Sequence, residues 1–94
     1  MVAGAILKCI MLAQFHVEVV ETPISEYAMA TMNKVHNGVE FESTVIEGRL
    51  NSITIEIPGK GRTMTFSTDY NQRTLGARLE LANEPAATID CEVI

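Results

Sequence analysis

From Ala5 to Val19 every odd-numbered residue is apolar: Ala5, Leu7, Cys9, Met11, Ala13, Phe15, Val17 and Val19. The even positions change character on the way. Ile6, Ile10 and Leu12, interrupted by Lys8, give way to Gln14, His16 and Glu18. Alternation of this kind belongs to a strand with one buried face, whereas an apolar run on both phases demands cover on both sides. The first half therefore needs two covers and the second half one. A strand from 5 to 19 would exceed the usual length of about 3–10 residues, so a bend, bulge or break is expected near Ala13–Gln14. A helix over 2–13 is the competing assignment, since that part is almost continuously apolar; the extended register from Phe15 to Val19 favours the strand.

The next segment changes period. Set at 100° per residue, Ile24, Tyr27, Ala28, Thr31, Met32 and Val35 fall in a stripe about 140° wide. Ser25, Glu26, Asn33, Lys34, His36 and Asn37 take the other side. Thr22 suits a helix cap, Pro23 the first helical position and Gly38 the left-handed C-terminal position. The pattern predicts a helix over 23–36. Asn37-Gly38 is also a hairpin signal, which makes a hairpin arm the alternative.

The remainder alternates as strands: 39–50, 52–57, 62–68, 77–82 and 87–94. Ile53, Ile55 and Ile57 share one face, as do Met64 and Phe66, with Pro58-Gly59-Lys60-Gly61 turning the chain between them. The order β-α-β-β-β-β-β predicts an α+β domain spanning 1–94. A single helix would pack on a curled, mostly antiparallel sheet of about six strands, and an all-β barrel is the second solution. Ninety-four residues suffice for one core. With no Trp and five other aromatics, that core must be built mainly from aliphatic side chains and Met.

Cys9 and Cys91 lie on the apolar phase of the first and last strands. Two cysteines do not make a disulfide scaffold, so buried reduced thiols are expected, with a bond between the two strands as the alternative. His16 sits an odd seven residues from Cys9, hence on the opposite face of a strand. There is no Cys-x-x-Cys and no metal-ligand spacing, and no nucleophile–base pair stands out. Neither a metal nor a cofactor is expected, and catalysis is the less favoured reading. His36 would cap the predicted helix. Pro58-Gly59-Lys60-Gly61-Arg62-Thr63 lacks the spacing of a phosphate-binding loop and reads as a turn. Asp90 and Glu92, a carboxylate pair on the outward phase of the last strand, read as protection of an edge.

The formal net charge of −5 disfavours nucleic acid as a partner. Charge is nonetheless uneven, with five of the seven bases (Arg49, Lys60, Arg62, Arg73, Arg78) between 49 and 78. Arg62, Arg73 and Arg78 are accordingly the candidate residues for a small anion, and Tyr70, in the polar loop 67–74, is a further candidate ligand-binding residue. The opening run lacks a basic segment before it and is too short to span a bilayer, so a cytoplasmic protein without membrane association is expected. Ile6, Ile10 and Leu12, the residues needing a second cover, point to a homodimer interface. The resulting expectation is a noncatalytic, self-associating binding or regulatory protein, with a further protein partner possible. The alternative is a small-molecule binder or minor enzyme using an apolar pocket between helix and sheet. Tyr27, Met29, Met32 and Met64 would line that pocket, with Tyr70 or Arg73 as polar anchors.

Overall fold

Tight turns, and no helix among the described residues, organise this chain. The computed structural model describes residues 5–59, 62–67, 73–81 and 83–94, with the backbone alone described at 62–67 and at Leu81. Among the described residues eight strands follow one another: β1 (Ile6–Ala13), β2 (His16–Pro23), β3 (Ala30–His36), β4 (Val39–Ile46), β5 (Arg49–Ile57), β6 (Arg62–Ser67), β7 (Thr74–Leu81) and β8 (Glu84–Val93). Three two-residue turns have both central residues at positive φ: Gln14-Phe15 (50° and 66°), Asn37-Gly38 (48° and 79°) and Glu47-Gly48 (55° and 76°). That geometry matches the twist of antiparallel strands and closes hairpins tightly.

Two four-stranded sheets result, in the orders β2-β1-β8-β7 and β3-β4-β5-β6. Every pairing is antiparallel, each strand pairs with at least one of its chain neighbours, and β8 returns to pair with β1. The meander is thus folded into two stacked layers that hide one face each. The chain crosses between layers after β2 and again after β6. The first crossing, 24–29, is built on Ser25. Its N–H donates to the Met29 carbonyl at 2.9 Å, its carbonyl accepts from Ala28 N–H at 2.8 Å, and its hydroxyl accepts from the N–H groups of Tyr27 and Met29 at 3.3 Å.

The α+β expectation is therefore overturned, and with it the helix over 23–36 and any pocket between helix and sheet. The segment is the end of β2, the Ser25 turn and β3, and no helix occurs among the described residues. Pro23 ends a strand, and Ala28 has φ 61°, outside helical geometry. His36 ends β3, where it caps no helix. The presumed strand 39–50 is broken at Glu47-Gly48, whose Gly48 N–H donates to the Ala28 carbonyl at 2.8 Å. Among the described residues no helix is long and apolar enough to cross a membrane.

The core lies between the sheets. Leu7, Cys9, Met11 and Ala13 of β1 and Ala87, Ile89, Cys91 and Val93 of β8 face Val39, Phe41, Val45, Leu50, Ile53, Ile55 and Ile57 of β4 and β5. Leu50 and Ile53 both point inward although three residues apart. Val45 pairs with Leu50 and Thr44 with Ser52, which leaves Asn51 as the extra residue of a bulge. Cys9 and Cys91 are directly opposite in the ladder and are joined by a disulfide, so neither is a reduced thiol. Ser43 is fully buried among these residues, and its hydroxyl has no hydrogen-bond partner among them. Such an orphan costs its desolvation without return. Ser43→Ala is expected to raise the unfolding free energy by up to about 1 kcal/mol, read as a later urea midpoint at unchanged slope.

Candidate functional site

The outward face of the sheet β2-β1-β8-β7 carries the features that the core does not explain. The two-residue turn at Gln14-Phe15 switches phase, because β1 buries its odd residues whereas β2 turns its even ones inward. Val17 and Val19 consequently face outward, 63% and 50% exposed, beside Leu12 and Ile10 in the ladder. Ile10 is itself 42% exposed. Ile6 completes the strip, paired to Pro23 on one side and bonded through its backbone to Ile94 on the other. The double-faced apolar half of β1 thus has the core behind one face and no cover over the other among the described residues.

Across β8 and β7 the same face turns polar. Ladder neighbours are Lys8 with Glu92, Ile10 with Asp90 and Leu12 with Thr88, and β7 adds Thr74, Gly76 and Arg78. An open groove of about 450 Å³ runs over Gly76, walled by Lys8, Ile10, Thr74, Asp90 and Glu92. The Asp90 carboxylate lies over the glycine: a Cβ at Gly76 would stand 2.5 Å from Asp90 Oδ1. Any side chain there would have to displace the carboxylate, so the groove depends on this glycine.

The inward polar residues of β2 and β3 meet at the seam between the sheets. Glu18 contacts Lys34 Nζ through Oε2 at 3.0 Å and His36 Nδ1 through Oε1 at 3.1 Å. His36 Nε2 lies 2.8 Å from the His16 carbonyl and donates to it, and Asn37 Nδ2 donates to the Ala13 carbonyl at 3.1 Å. Side chains lace this seam where the two ladders end. Its partly exposed ion pairs are worth little each, so the cluster reads as a positional clamp.

The candidate anion residues do not assemble among the described side chains. Arg73 and Arg78 stand about 17 Å apart along β7. Arg73 donates to the Val93 carbonyl at 3.3 Å and Arg78 pairs with Glu80 on its own strand. The Arg62 side chain and Tyr70 lie outside the described residues. Of the supposed pocket lining, Met32 is buried in the core, while Tyr27 and Met29 are 78% and 53% exposed. The Met64 side chain lies outside the described residues. Val17 and Val19 were missed by sequence reasoning because a continuous strand would have put them in the core; the signal that could have placed them is the length of the 5–19 run. No group of three or more His, Cys, Asp or Glu among the described residues is arranged to hold a metal. Because Cys9 and Cys91 are bonded to each other, neither thiol is free to act as a nucleophile.

No protein-family model matches the sequence, and no curated protein or solved structure is significantly similar to it.

Proposed function

We propose that this protein is a noncatalytic binding module that associates with a second copy of itself through the outward face of β1 and β2. The observation that carries this reading is the strip of Ile10, Val17 and Val19, each at least 42% exposed and adjoining Ile6 and Leu12. Contiguous apolar surface of this kind is gained by association and lost to water otherwise. A two-fold contact suits it because the same patch then serves both copies. The Cys9–Cys91 disulfide supports an oxidising compartment as the working environment, in place of the cytoplasm.

Ile10→Glu tests the reading, since it sets a charge in the middle of the strip without touching the core. Light scattering coupled to size exclusion is expected to show the mass of the associated species at least halved. An unchanged, monodisperse profile for a folded variant would overturn the proposal. Val17→Lys is the companion variant, further toward the edge of the sheet.

A second reading rests on the groove over Gly76, whose walls combine Lys8, Asp90 and Glu92 with the apolar flank of Ile10. A small molecule carrying both charges would match that lining. The strip beside the groove holds Ile10, Val17 and Val19 open to solvent, and the protein-contact reading is preferred for that reason.

A further inference from the structure

β7 is the outer strand of its sheet, and it lacks the proline and the inward charge that commonly protect such an edge. The opposite edge, β2, has both: it ends in Pro23 and carries Glu18 on its inward phase. On β7 the inward phase is Leu75, Ala77 and Leu79, all packed against the core. Val93 N–H donates to the Arg73 carbonyl at 2.8 Å, which fixes the direction of every backbone group that follows. By alternation Leu75 and Ala77 bond to β8, while Thr74, Gly76 and Arg78 turn their backbone groups to the far side. Among the described residues those three meet no backbone partner there.

The side chains along this edge complement themselves. Gly76 leaves a gap, and the Asp90 carboxylate leans into it, with Oδ1 2.5 Å from where a Cβ would stand. A glycine within a strand often marks the close approach of another backbone. Two residues on, in the same outward phase, Arg78 holds Glu80 through Nε. Its terminal nitrogens are left for another acceptor, and the side chain is 63% exposed.

A two-fold axis at Ala77 turns this edge onto its own copy. Gly76 of each chain then stands opposite Arg78 of the other, about 5.5 Å apart at Cα, and the two exchange both backbone hydrogen bonds. Arg78 of one copy crosses the gap at Gly76 and meets the Asp90 carboxylate of the other, twice about the axis. Ala77 meets Ala77 on the axis in the closer, non-hydrogen-bonded kind of pair, where a small side chain fits. Neighbouring registers lose this match. An axis at Arg78 sets two arginines opposite each other, and an axis at Gly76 does the same to the two Asp90 carboxylates.

We infer that a second copy of this chain pairs antiparallel along β7 with the axis at Ala77, joining two four-stranded sheets into one of eight strands. This contact uses the sheet edge and not the outward face of β1 and β2, so it goes beyond the reading above. It also completes the groove over Gly76, whose Asp90 wall receives a guanidinium from the other copy.

Amide hydrogen exchange over a concentration series reads the edge directly. The Gly76 and Arg78 N–H groups should exchange more slowly as concentration rises, which association through β1 and β2 does not produce. Light scattering reads the mass in a Val17→Lys background, where the face contact is disabled and β7 is untouched. That variant should keep twice the monomer mass, and adding Arg78→Pro should bring a twofold fall to monomer. Proline is tolerated at an edge position whose N–H has no partner. Charge exchange covers the case in which proline disturbs the strand. In the same background Arg78→Asp or Asp90→Arg alone should give monomer, and the two together should restore the dimer, a rescue that a purely structural role does not supply. A Val17→Lys protein that is monomeric at all concentrations, unchanged exchange at Gly76 and Arg78, or equal masses with and without these substitutions overturns the edge contact. Failure of the face contact looks different: wild type and Val17→Lys then share one dimer mass, and Arg78→Pro alone yields monomer.

Discussion

Reduction of the Cys9–Cys91 bond is expected to lower the unfolding free energy by about 2–4 kcal/mol and the melting temperature by roughly 10–25 °C. The two residues face each other across β1 and β8, with Cα atoms 4.1 Å apart. Ile6 and Ile94 exchange both backbone hydrogen bonds, so by alternation the Cys9–Cys91 position is a non-hydrogen-bonded pair, the closer of the two kinds. The bond spans 82 residues of sequence, and closing so long a loop in the unfolded chain gives a chain-entropy stabilisation near the upper end of the usual range. It also ties the two central strands of one sheet, both cysteines being at most 2% exposed. Cys91→Ala and reductant should therefore move the melting curve in the same direction, the variant somewhat further because a buried sulfur is also removed. Maleimide labelling supplies the covalent check. Two thiols should react in denaturant only after reductant is added, and labelling without reductant would refute the bond.

The parts of this architecture legible in the sequence are those where apolar residues keep strict phase. Ile53, Ile55 and Ile57 alternate into the core of β5, and β5 pairs with β6 around the turn at Pro58-Gly59, as the spacing predicts. Ile89, Cys91 and Val93 do the same in β8. The two-faced apolar half of β1 was likewise readable, together with the need for a break after it, which falls at Gln14-Phe15. What could not be read is where phase changes. A two-residue turn reverses direction and shifts the inward set from odd to even residues, and neither Gln14 nor Phe15 announces a turn. The Asn51 bulge hides a second shift.

The helix assignment failed for a related reason. The inward positions of β2 and β3 near the seam are polar, namely Glu18, Lys34 and His36, and they satisfy one another at 3.0–3.1 Å. Val35, outward on β3, is 57% exposed. Once the inward residues are charged and an outward one is apolar, period two disappears and a period near 3.6 emerges by accident. The capping residues compounded the error, because Thr22 and Pro23 serve a strand end before a crossover turn as readily as a helix start, and Gly38 a hairpin turn as readily as a helix end. The outward site suffered the same way: apart from the length of the 5–19 run, nothing in the sequence marks which side of the sheet Val17 and Val19 occupy.

Alanine substitution through 27–35 separates the two periodicities with a large signal. A helix packed by its apolar stripe would bury Tyr27, Met32 and Val35 together, and truncating any of them would be costly. In the sandwich only Met32 is buried, at 2% exposed, on β3 opposite Ser43, whereas Tyr27 and Val35 are 78% and 57% exposed. Met32→Ala should therefore cost about 2–5 kcal/mol, the price of removing a buried side chain and leaving a void. Tyr27→Ala and Val35→Ala should stay within about 0.5 kcal/mol of wild type, as surface changes do. Urea unfolding monitored by circular dichroism reads all three on one scale, with the slopes checked for constancy. A void beside Ser43 could admit a water to its orphaned hydroxyl, which would place the Met32 value toward the low end of that range. Comparable losses at Tyr27, Met32 and Val35 would restore the helix. A loss confined to Met32 follows only from a strand whose alternate residues face the core.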